Sequence, residues 1–446
     1  MVKRKGKSAS ASHPKGKDSG STLLKPRLGF YSLPIEVLDT VFEHSSKSTL
    51  LACVRVSRLW RDCSRPHLFA SLTIYRDASY DDFFSFLDAN TDIARYVRDL
   101  TLGRGHGAWE RGAHPLVSIK LLIDLMHKLP RLQELRLQDV QFDNRLANSS
   151  GVTDAAGRPA SQCGEVPPSR LQLLSMVRCW GIGSEMWLPQ GVLFDVLSAL
   201  PADSIHLSSF SVTAQDIARR HLRPLDPRCL VLDNIPSIGS WHNSLEAKRL
   251  YEALRHATAP NCLRKLRVCR VDRHDVTCLT ALGNFISHAA QDTLQDFELP
   301  FSICQPIIEE EDTPEPWNIL CLDKCHNLKT FGISFHMRTG LNDMPAYPHV
   351  PFSAVAIAIL SHLPSTLRHL TIQLLYVESA EQIKNKKVLG LRALDDVLLD
   401  RFPALETVRL ELRVKYYLLE FTLAAFKTMP KCKKRGILEV ADCRDN

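Results

Sequence analysis

Residues 363–375 read Leu-Pro-Ser-Thr-Leu-Arg-His-Leu-Thr-Ile-Gln-Leu-Leu, and this stretch contains the pattern that decides the fold. Within it, Leu367, Leu370 and Ile372 follow the spacing apolar-x-x-apolar-x-apolar, in which the last residues alternate with polar ones. Alternation is typical of a β-strand with one buried face, because successive side chains of a strand point to opposite sides. Pro364 follows an apolar helical stretch and predicts that the helix stops before the strand.

The same pattern recurs along the chain from residue 76 onward. The middle residues of the eight full copies are Leu100, Leu135, Leu174, Leu266, Phe297, Phe331, Leu370 and Val408. Shorter copies occur at Leu72/Ile74, Ile205/Leu207, Leu230/Leu232 and Leu438/Val440, and the steps between middle residues from Leu100 onward are 25 to 39 residues. Stretches of helical period lie between the copies, over residues 119–129, 192–200, 245–256, 279–288, 355–363, 388–402 and 418–429. Several end in an apolar residue followed by proline, as at Met429-Pro430.

A strand–helix unit that repeats at a rough period predicts an α/β solenoid. The pattern resembles leucine-rich repeats, although units of that family are shorter, about 20–29 residues, and carry Asn or Cys after the strand. Cys179 fits that position, whereas Val140 and Val271 do not. The resemblance therefore implies an irregular leucine-rich-repeat-like solenoid with longer helices over residues 76–446. The competing interpretation is an ordinary α/β domain with helices on both faces of the sheet.

Residues 29–75 differ from the repeats, because they predict three short helices. Pro34 suits the first turn of a helix, where its missing N–H costs nothing. Ser48 is the predicted cap of the second helix, and Pro66 is predicted to stop the third. Three short helices bury little surface by themselves, so we expect a partner or the rest of the chain to cover some of it.

The segments Leu33-Pro34-Ile35-Glu36-Val37-Leu38, Val41-Phe42, Leu50-Leu51 and Cys53-Val54-x-Val56-Ser57-Arg58-x-Trp60-Arg61 resemble an F-box in order and spacing. The alternative is a generic small helical bundle that starts with Leu-Pro. One departure is that Lys47-Ser48-Thr49 replaces the usual acidic residue or proline before the second helix. The resemblance implies docking on a Skp-type adaptor. The matched positions that supply the docking surface or hold it in shape are then Leu33, Pro34, Ile35, Glu36, Leu38, Val41, Phe42, Leu50, Leu51, Val54 and Trp60.

The same resemblance implies the substrate-recognition subunit of an SCF (Skp–cullin–F-box) E3 ubiquitin ligase, which contacts the cullin through the adaptor and is not itself an enzyme. We expect a substrate protein, whose identity the sequence leaves open, on the concave face of the solenoid. The outward strand residues there are Arg136, Gln138, Ser175, Arg267, Glu298, Ser334, Thr371, Gln373, Arg409 and Glu411. The alternatives are a non-degradative interaction scaffold with the same F-box and repeats, and an enzyme with an unrecognised site.

The positive charge of the chain is concentrated at one end. Residues 1–28 hold eight of the 56 basic residues and one of the 49 acidic residues, so the other 418 residues carry no net formal charge. This distribution argues against nucleic acid as a partner. Residues 1–28 predict a disordered basic tail, which acts either as a solubilising arm or, through residues 3–7, as a nuclear localisation signal. Polar or proline-rich insertions are predicted near residues 143–169, 305–317 and 338–352, the second with the acidic run Glu309-Glu310-Glu311-Asp312.

The remaining features exclude several classes of protein. No apolar run is long enough to span a membrane, and no secretory signal begins the chain, so we expect no membrane association and a cytoplasmic or nuclear location. The 13 scattered cysteines then predict free thiols. Cys321 and Cys325, near His326, lack the spacing of a recognised metal site, so we expect no metal and no cofactor. Phosphate-loop, dinucleotide, hydrolase-elbow and zinc-protease motifs are absent from the sequence, and the pair Asp395-Asp396 predicts a solvated helix face.

Overall fold

The computed structural model describes most of the chain as two compact units, Met1–Leu68 and Phe69–Asn446, which we call the helical unit and the sheet unit. The described residues are 33–76, 79–104, 115–143, 170–181, 187–209, 211–213, 224–233, 243–269, 271–272, 275–302, 316–336, 351–375, 377, 379–412 and 418–442. The predicted basic tail and most of the three predicted insertions lie outside these residues.

The helical unit contains the three predicted helices, α1 (Ile35–Glu43), α2 (Lys47–Cys53) and α3 (Arg58–Ala70), of which α3 runs past its end. The predicted cap of α2 is wrong by two residues. Ser46, rather than Ser48, precedes α2 in extended conformation, and its side chain accepts a hydrogen bond from the Thr49 amide at 3.2 Å. The helix starts two residues earlier than expected because Ser46 satisfies an amide that the first turn leaves unpaired.

The prediction that Pro66 stops the third helix is also wrong, because α3 continues through Pro66 to Ala70. A proline within a helix removes one backbone hydrogen bond and costs about 3 kcal/mol or more. Cys63 and Leu68, on either side of Pro66, both pack against the core of the unit. These contacts hold the helix together across the proline.

The core of the helical unit is small. Leu38, Phe42, Leu50 and Cys53 are buried, and partly buried side chains including Trp60 pack around them. The ring of Trp60 meets that of Phe42 edge-on, with 5.7 Å between ring centroids. Four buried side chains are few for a unit that must offset the entropy of ordering three helices.

The sheet unit contains eighteen strands in its described part. They are β1 (Ser71–Arg76), β2 (Asp99–Arg104), β3 (Leu116–Val117), β4 (Glu134–Gln138), β5 (Gln141–Phe142), β6 (Leu171–Val177), β7 (Trp180–Gly181), β8 (Trp187–Pro189), β9 (Ala202–Ser208), β10 (Ser211–Thr213), β11 (Cys229–Asp233), β12 (Lys265–Arg267), β13 (Val271–Asp272), β14 (Asp296–Ser302), β15 (Thr330–His336), β16 (His369–Leu375), β17 (Thr407–Leu412) and β18 (Leu438–Asp442).

Thirteen of these strands form one sheet in which every described neighbouring pair is parallel. Twelve follow one another in chain order, β1-β2-β4-β6-β9-β11-β12-β14-β15-β16-β17-β18, and β13 pairs with β14 beside this path. The first strand lies within residues 29–75, which the sequence assigned to the F-box. Residues Ser71–Arg76 instead pair with β2 along their whole length, so they belong to the sheet.

Buried residues cross this sheet in register. The row consists of the predicted middle residues Leu100, Leu135, Leu174, Ile205, Leu230, Leu266, Phe297, Phe331, Leu370, Val408 and Leu438. Each is 9% exposed or less. Burying such a side chain stabilises the fold by about 1.5–3 kcal/mol, so the row contributes at every strand. The strands predicted from these residues are confirmed.

Helices occupy the connections between strands. They are α4 (Asp81–Ala89), α5 (Thr91–Ala94), α6 (Ile119–Lys128), α7 (Gln190–Ala199), α8 (Asn243–Ala257), α9 (Val276–Ala289), two 3₁₀ helices (Pro316–Leu320 and Leu322–Lys324), α10 (Phe352–Leu360), α11 (Ala380–Lys384), α12 (Leu391–Arg401), α13 (Leu418–Thr428) and α14 (Pro430–Arg435). Each of the seven predicted helical stretches overlaps one of these helices. Pro430 departs from the expectation, because it begins α14 instead of leading to a strand. None of the described helices is long and apolar enough to cross a membrane.

Only one face of the sheet is covered where burial alternates. In β4 and β16 buried residues alternate with partly or fully exposed ones. A parallel sheet with helices on both faces shows nearly continuous burial instead. Three consecutive residues are buried in β2, β6, β11 and β17, so both kinds of burial occur in this sheet.

Three strands are followed immediately by a residue with left-handed backbone conformation. Asp139, Arg178 and Ser209 follow β4, β6 and β9 with φ of 55°, 50° and 57°, and their amides bond to the next strand. The chain then enters a short strand, β5, β7 or β10. Arg178 donates to both carboxylate oxygens of Asp139, at 2.6 and 2.7 Å. The adjacent Cys179 is buried, and its thiol donates to the Leu137 carbonyl at 3.6 Å.

The prediction of a solvated Asp395-Asp396 pair is wrong for its first member. Asp395 is fully buried, and its carboxylate accepts hydrogen bonds from the amides of Lys431 and Cys432 at 2.8 and 2.9 Å. These amides open α14, so a residue of α12 caps the helix that follows Pro430. Asp396 is exposed and pairs with the Lys431 ammonium at 3.0 Å. The sequence pattern missed the cap because Asp395 lies 36 and 37 positions before the residues whose amides it caps.

Asp395→Ala is expected to lower the free energy of unfolding by about 1–3 kcal/mol, because it leaves two buried amides without an acceptor. Urea denaturation followed by far-UV circular dichroism measures this loss. Asp396→Ala is the matched control, since it removes an exposed carboxylate from the same helix, and it should leave the urea midpoint nearly unchanged. Equal losses in the two variants would contradict the capping role of Asp395.

Candidate functional site

The helical unit leaves large apolar side chains exposed. Seven of the fourteen most exposed large apolar residues in the described chain belong to it, with exposed fractions of 38–59%. They are Leu33, Ile35, Val37, Val41, Leu51, Val56 and Leu59. A concentration of exposed apolar side chains on so small a unit marks a surface for another protein.

Helix α1 explains why these side chains remain outside. Leu38 and Phe42 are four positions apart, so they lie on one face and enter the core. Ile35 and Val41 lie on other faces of the helix and are 59% and 48% exposed. A helix that is apolar on more than one face cannot bury all of its apolar residues against one small core.

The predicted adaptor-binding residues divide into three groups. Those exposed are Leu33, Pro34, Ile35, Glu36, Val41 and Leu51. Val54 and Trp60 are half-buried, and Leu38, Phe42 and Leu50 are buried in the core. The first group is available to a partner, whereas the other two hold the helices in place.

Sequence reasoning missed three exposed apolar residues of the helical unit, Val37, Val56 and Leu59. Val37 and Val56 lie within segments that carry the F-box resemblance, and Leu59 occupies an unspecified position of the final segment. The signal for Val37 was present, because Ile35, Val37 and Leu38 crowd more apolar residues into one turn than a single buried face requires.

Comparison with known proteins agrees with this geometry. Residues 30–75 match the family model of the F-box-like domain. The chain carries an F-box-like domain. No curated protein matches the chain. The matched residues contain α1, α2 and α3 together with β1, so the F-box-like domain includes all seven exposed apolar residues of the helical unit.

The sheet unit offers a second surface, the side of the strands opposite the buried rows. We call it the polar sheet face. All ten predicted substrate-binding residues lie on it, in two rows. Arg136, Ser175, Arg267, Glu298, Thr371 and Arg409 belong to one row, and Gln138, Ser334, Gln373 and Glu411 belong to the row two residues further along each strand.

The centre of the polar sheet face is a cluster of opposite charges. The Arg267 guanidinium lies 3.0 Å from a carboxylate oxygen of Asp233 and 3.5 Å from one of Glu298. In the adjacent row, the Lys265 ammonium contacts Asp296 at 2.9 Å. Burial raises the pKa of Glu298, although Arg267 opposes the shift.

A hydrogen-bonded network extends over the last strands of the same face. Ser334 donates to the Gln373 side-chain oxygen at 2.6 Å, and the Gln373 amide donates to Glu411 at 2.7 Å. Arg409 contacts the other oxygen of Glu411 at 2.9 Å. Glu411 and Ser334 are 5% and 3% exposed, so both orient their neighbours and offer little surface of their own.

Four charged or titratable residues of the central cluster were not among the predicted contacts, namely His206, Asp233, Lys265 and Asp296. Two of them lie on strands that carry only the shorter pattern, β9 and β11, where the alternation is less marked. The alternation with Ile205/Leu207 and Leu230/Leu232 was the signal that places His206 and Asp233 on this face. Burial lowers the pKa of His206, although Asp233 opposes the shift.

The cysteines contribute packing and show no site. The ten cysteines within the described residues are free thiols. Burial raises the pKa of Cys179 and Cys325 to about 12 and that of Cys269 to about 11, so these thiols stay protonated at neutral pH. Among the described residues, no group of three or more His, Cys, Asp or Glu side chains is placed to hold a metal ion.

Ionisation of Glu298 is expected to destabilise the fold as the pH rises. A carboxyl group whose pKa is raised by folding contributes stability in acid that is lost as the pH passes through the folded pKa. The Glu298→Gln variant does not ionise at this position. Its free energy of unfolding should therefore rise relative to that of the wild type as the pH increases from the range where ordinary carboxyl groups titrate to neutrality. Urea denaturation across this pH range measures it.

Arg267→Gln provides the companion measurement for Glu298. It removes the cation that lowers the pKa of Glu298, so the loss of stability should extend to higher pH than in the wild type. A pH-independent difference for Glu298→Gln would show that this carboxylate is not desolvated on the polar sheet face.

Proposed function

We propose that the protein is the substrate-recognition subunit of an SCF E3 ubiquitin ligase. The observation that carries the proposal is the exposed apolar surface of the F-box-like domain, whose core contains four buried apolar side chains among the described residues. F-box domains typically bind Skp1-type adaptors, and the adaptor connects them to the cullin. Each exposed anchor that becomes buried stabilises the complex by about 1.5–3 kcal/mol, and several together offset the cost of association.

In this proposal the sheet unit is an irregular leucine-rich-repeat-like solenoid that holds the substrate. The chain order of the parallel strands, their in-register rows and the alternating burial of β16 support this interpretation. Cys179 supports it as well, because it occupies the position after the strand where the repeat family carries Asn or Cys and bonds to a neighbouring strand.

The polar sheet face is the proposed substrate surface. Its guanidinium and carboxylate groups are held in position by ion pairs and by the Ser334–Gln373–Glu411 network. Preformed polar groups of this kind favour a specific partner through charge complementarity rather than through buried area.

The protein itself performs no chemistry in this proposal. The thioester-bearing enzyme of the ligase transfers ubiquitin, and the receptor raises the effective concentration of substrate lysines near that thioester. We further propose that it acts in the cytoplasm, the nucleus or both, and that it requires no cofactor.

Adaptor binding is expected to be lost when two exposed residues of α1 become charged. In Ile35→Asp/Val41→Asp, loss of two buried anchors should cost about 3 kcal/mol or more, which is at least a hundredfold in affinity. Co-purification of the full chain with a Skp-type adaptor, followed by calorimetric titration, measures it. The Leu33→Asp/Pro34→Ala variant should behave in the same way.

The matched control for adaptor binding is Leu419→Asp/Leu423→Asp. These residues of α13 are 72% and 60% exposed, so the control introduces the same charges at exposed apolar positions of the sheet unit. It should bind the adaptor as the wild type does. Failure of the folded wild-type chain to bind any Skp-type adaptor would refute the proposed function.

Substrate delivery is expected to depend on the polar sheet face and not on the adaptor alone. Arg136→Glu/Thr371→Arg reverses one charge and adds another at accessible positions of one row, so it should retain the adaptor but lose the substrate. Quantitative proteomics of cells that carry this variant should show the same accumulating protein as cells with Ile35→Asp/Val41→Asp. If adaptor binding occurs and no protein accumulates in either case, the non-degradative scaffold is the better description.

A further inference from the structure

A line of cations crosses the sheet unit where its strands begin. Arg228, Arg264, Lys329 and Arg368 immediately precede β11, β12, β15 and β16, and Gln295 fills the place before β14. We call these four cations the basic row. Backbone hydrogen bonds of 2.8–2.9 Å join each of the five residues to the next, so they are neighbours across five consecutive strands. All five are exposed.

Within the described part of the chain, most charges of the basic row have no carboxylate partner. No described carboxylate pairs with Arg228, Arg264 or Lys329, and Arg368 contacts only the exposed Glu406, at 3.2 Å. The cations of the polar sheet face differ, because Arg136, Lys265, Arg267 and Arg409 each contact a carboxylate. The structure neutralises its cations on that face but not along this edge.

Acidic residues mark both ends of the row. The backbone hydrogen bonds continue from Arg228 to Asp203 on one side and from Arg368 to Glu406 on the other, both at 2.7 Å. Between these two positions the row contains no acidic residue. The positive stretch therefore has a defined length of five strands.

The spacing of the row fits an extended chain that crosses the strands. Neighbouring strands lie about 4.8 Å apart, so the four steps from Arg228 to Arg368 span about 19 Å. An extended peptide rises about 3.3 Å per residue, so about six residues cover this distance. Carboxylates on such a segment lie within reach of successive guanidinium and ammonium groups, whose long side chains adapt to small mismatches in spacing.

We propose that the basic row binds an extended, carboxylate-rich segment of a partner protein. Charge complementarity selects an acidic segment, because three of the four cations pair with no carboxylate among the residues that the structure describes. A nucleic acid fits less well, since the chain beyond residues 1–28 carries no net charge and the row includes no aromatic side chain on which bases stack. The proposal goes beyond the proposed function, because the basic row lies outside the polar sheet face and its test does not involve the adaptor.

The test is fluorescence anisotropy with the full chain and a labelled Glu-rich peptide of about ten residues, which is longer than the row requires. In Arg228→Ala/Arg264→Ala/Lys329→Ala, the dissociation constant should rise at least about tenfold at low salt, because the unpartnered cations are removed. Wild-type binding should weaken markedly as the salt concentration rises. The tail of residues 1–28 is present in every variant, so its attraction for the peptide cancels in the comparison.

The matched control is Arg98→Ala/Lys120→Ala/Arg131→Ala, which removes three exposed cations of the same unit outside the row. It should leave the dissociation constant within about twofold of the wild type, because screening limits the reach of exposed charges. Arg228→Lys/Arg264→Lys retains the charges and should also retain binding, which separates loss of charge from loss of folding.

Three results would overturn the proposal. The first is a wild-type chain that does not bind the acidic peptide. The second is equal weakening by the row variant and its control, which would show attraction without a defined site. The third is tighter binding of single-stranded DNA with the same number of negative charges, which would identify the row as a nucleic-acid surface.

Discussion

The in-register pairing of apolar residues across the parallel sheet is the constraint on which the sheet unit depends. Each strand contributes residues such as Leu370 and Ile372 to the rows that bury its inner face. A slip of one residue in any pair exchanges the buried face for the polar one, so burial holds every strand in a single register. The polar sheet face and the basic row follow from that register, because Thr371 lies one residue after Leu370 and Arg368 two residues before it.

The two units differ in the fraction of their apolar side chains that they bury. The sheet unit repeats one strand–helix motif, so that each strand pairs with the next. Its main core extends from Tyr80 to Leu438. The F-box-like domain is too short for such a core, so it buries four side chains and leaves seven large ones exposed. Exposed apolar surface is a liability for a free protein and an advantage for one that functions in a complex. The small core and the exposed surface of the F-box-like domain thus have the same cause.

Local rules of sequence failed where distant residues intervene. Pro66 lies inside α3 because Cys63 and Leu68 pack on either side of it, and Pro430 begins a helix because Asp395 caps its amides. The cap of α2 is Ser46 and not Ser48 for a local reason, because two hydroxyl residues lie close together in the sequence and either can cap a helix. Strands with the complete repeat pattern were predictable, because alternation depends only on neighbouring residues. The residues of the central charge cluster were less predictable than these strands, because His206 and Asp233 lie on strands with a shortened pattern.

The sequence alone determined the twelve strands of the main sheet path, seven helical stretches between them, which side of these strands is apolar and which helix positions resemble an F-box. These properties depend on residues within a few positions of one another. Only the tertiary structure decided which charges neutralise each other, because Arg267 meets Asp233 and Glu298 from strands 34 and 31 residues away. It also decided the burial of Glu411. The alternating pattern places this residue on the outward face, but it is buried and contacts Gln373 and Arg409. Pairing across strands depends on the register of the whole sheet, and no single stretch of sequence contains that information.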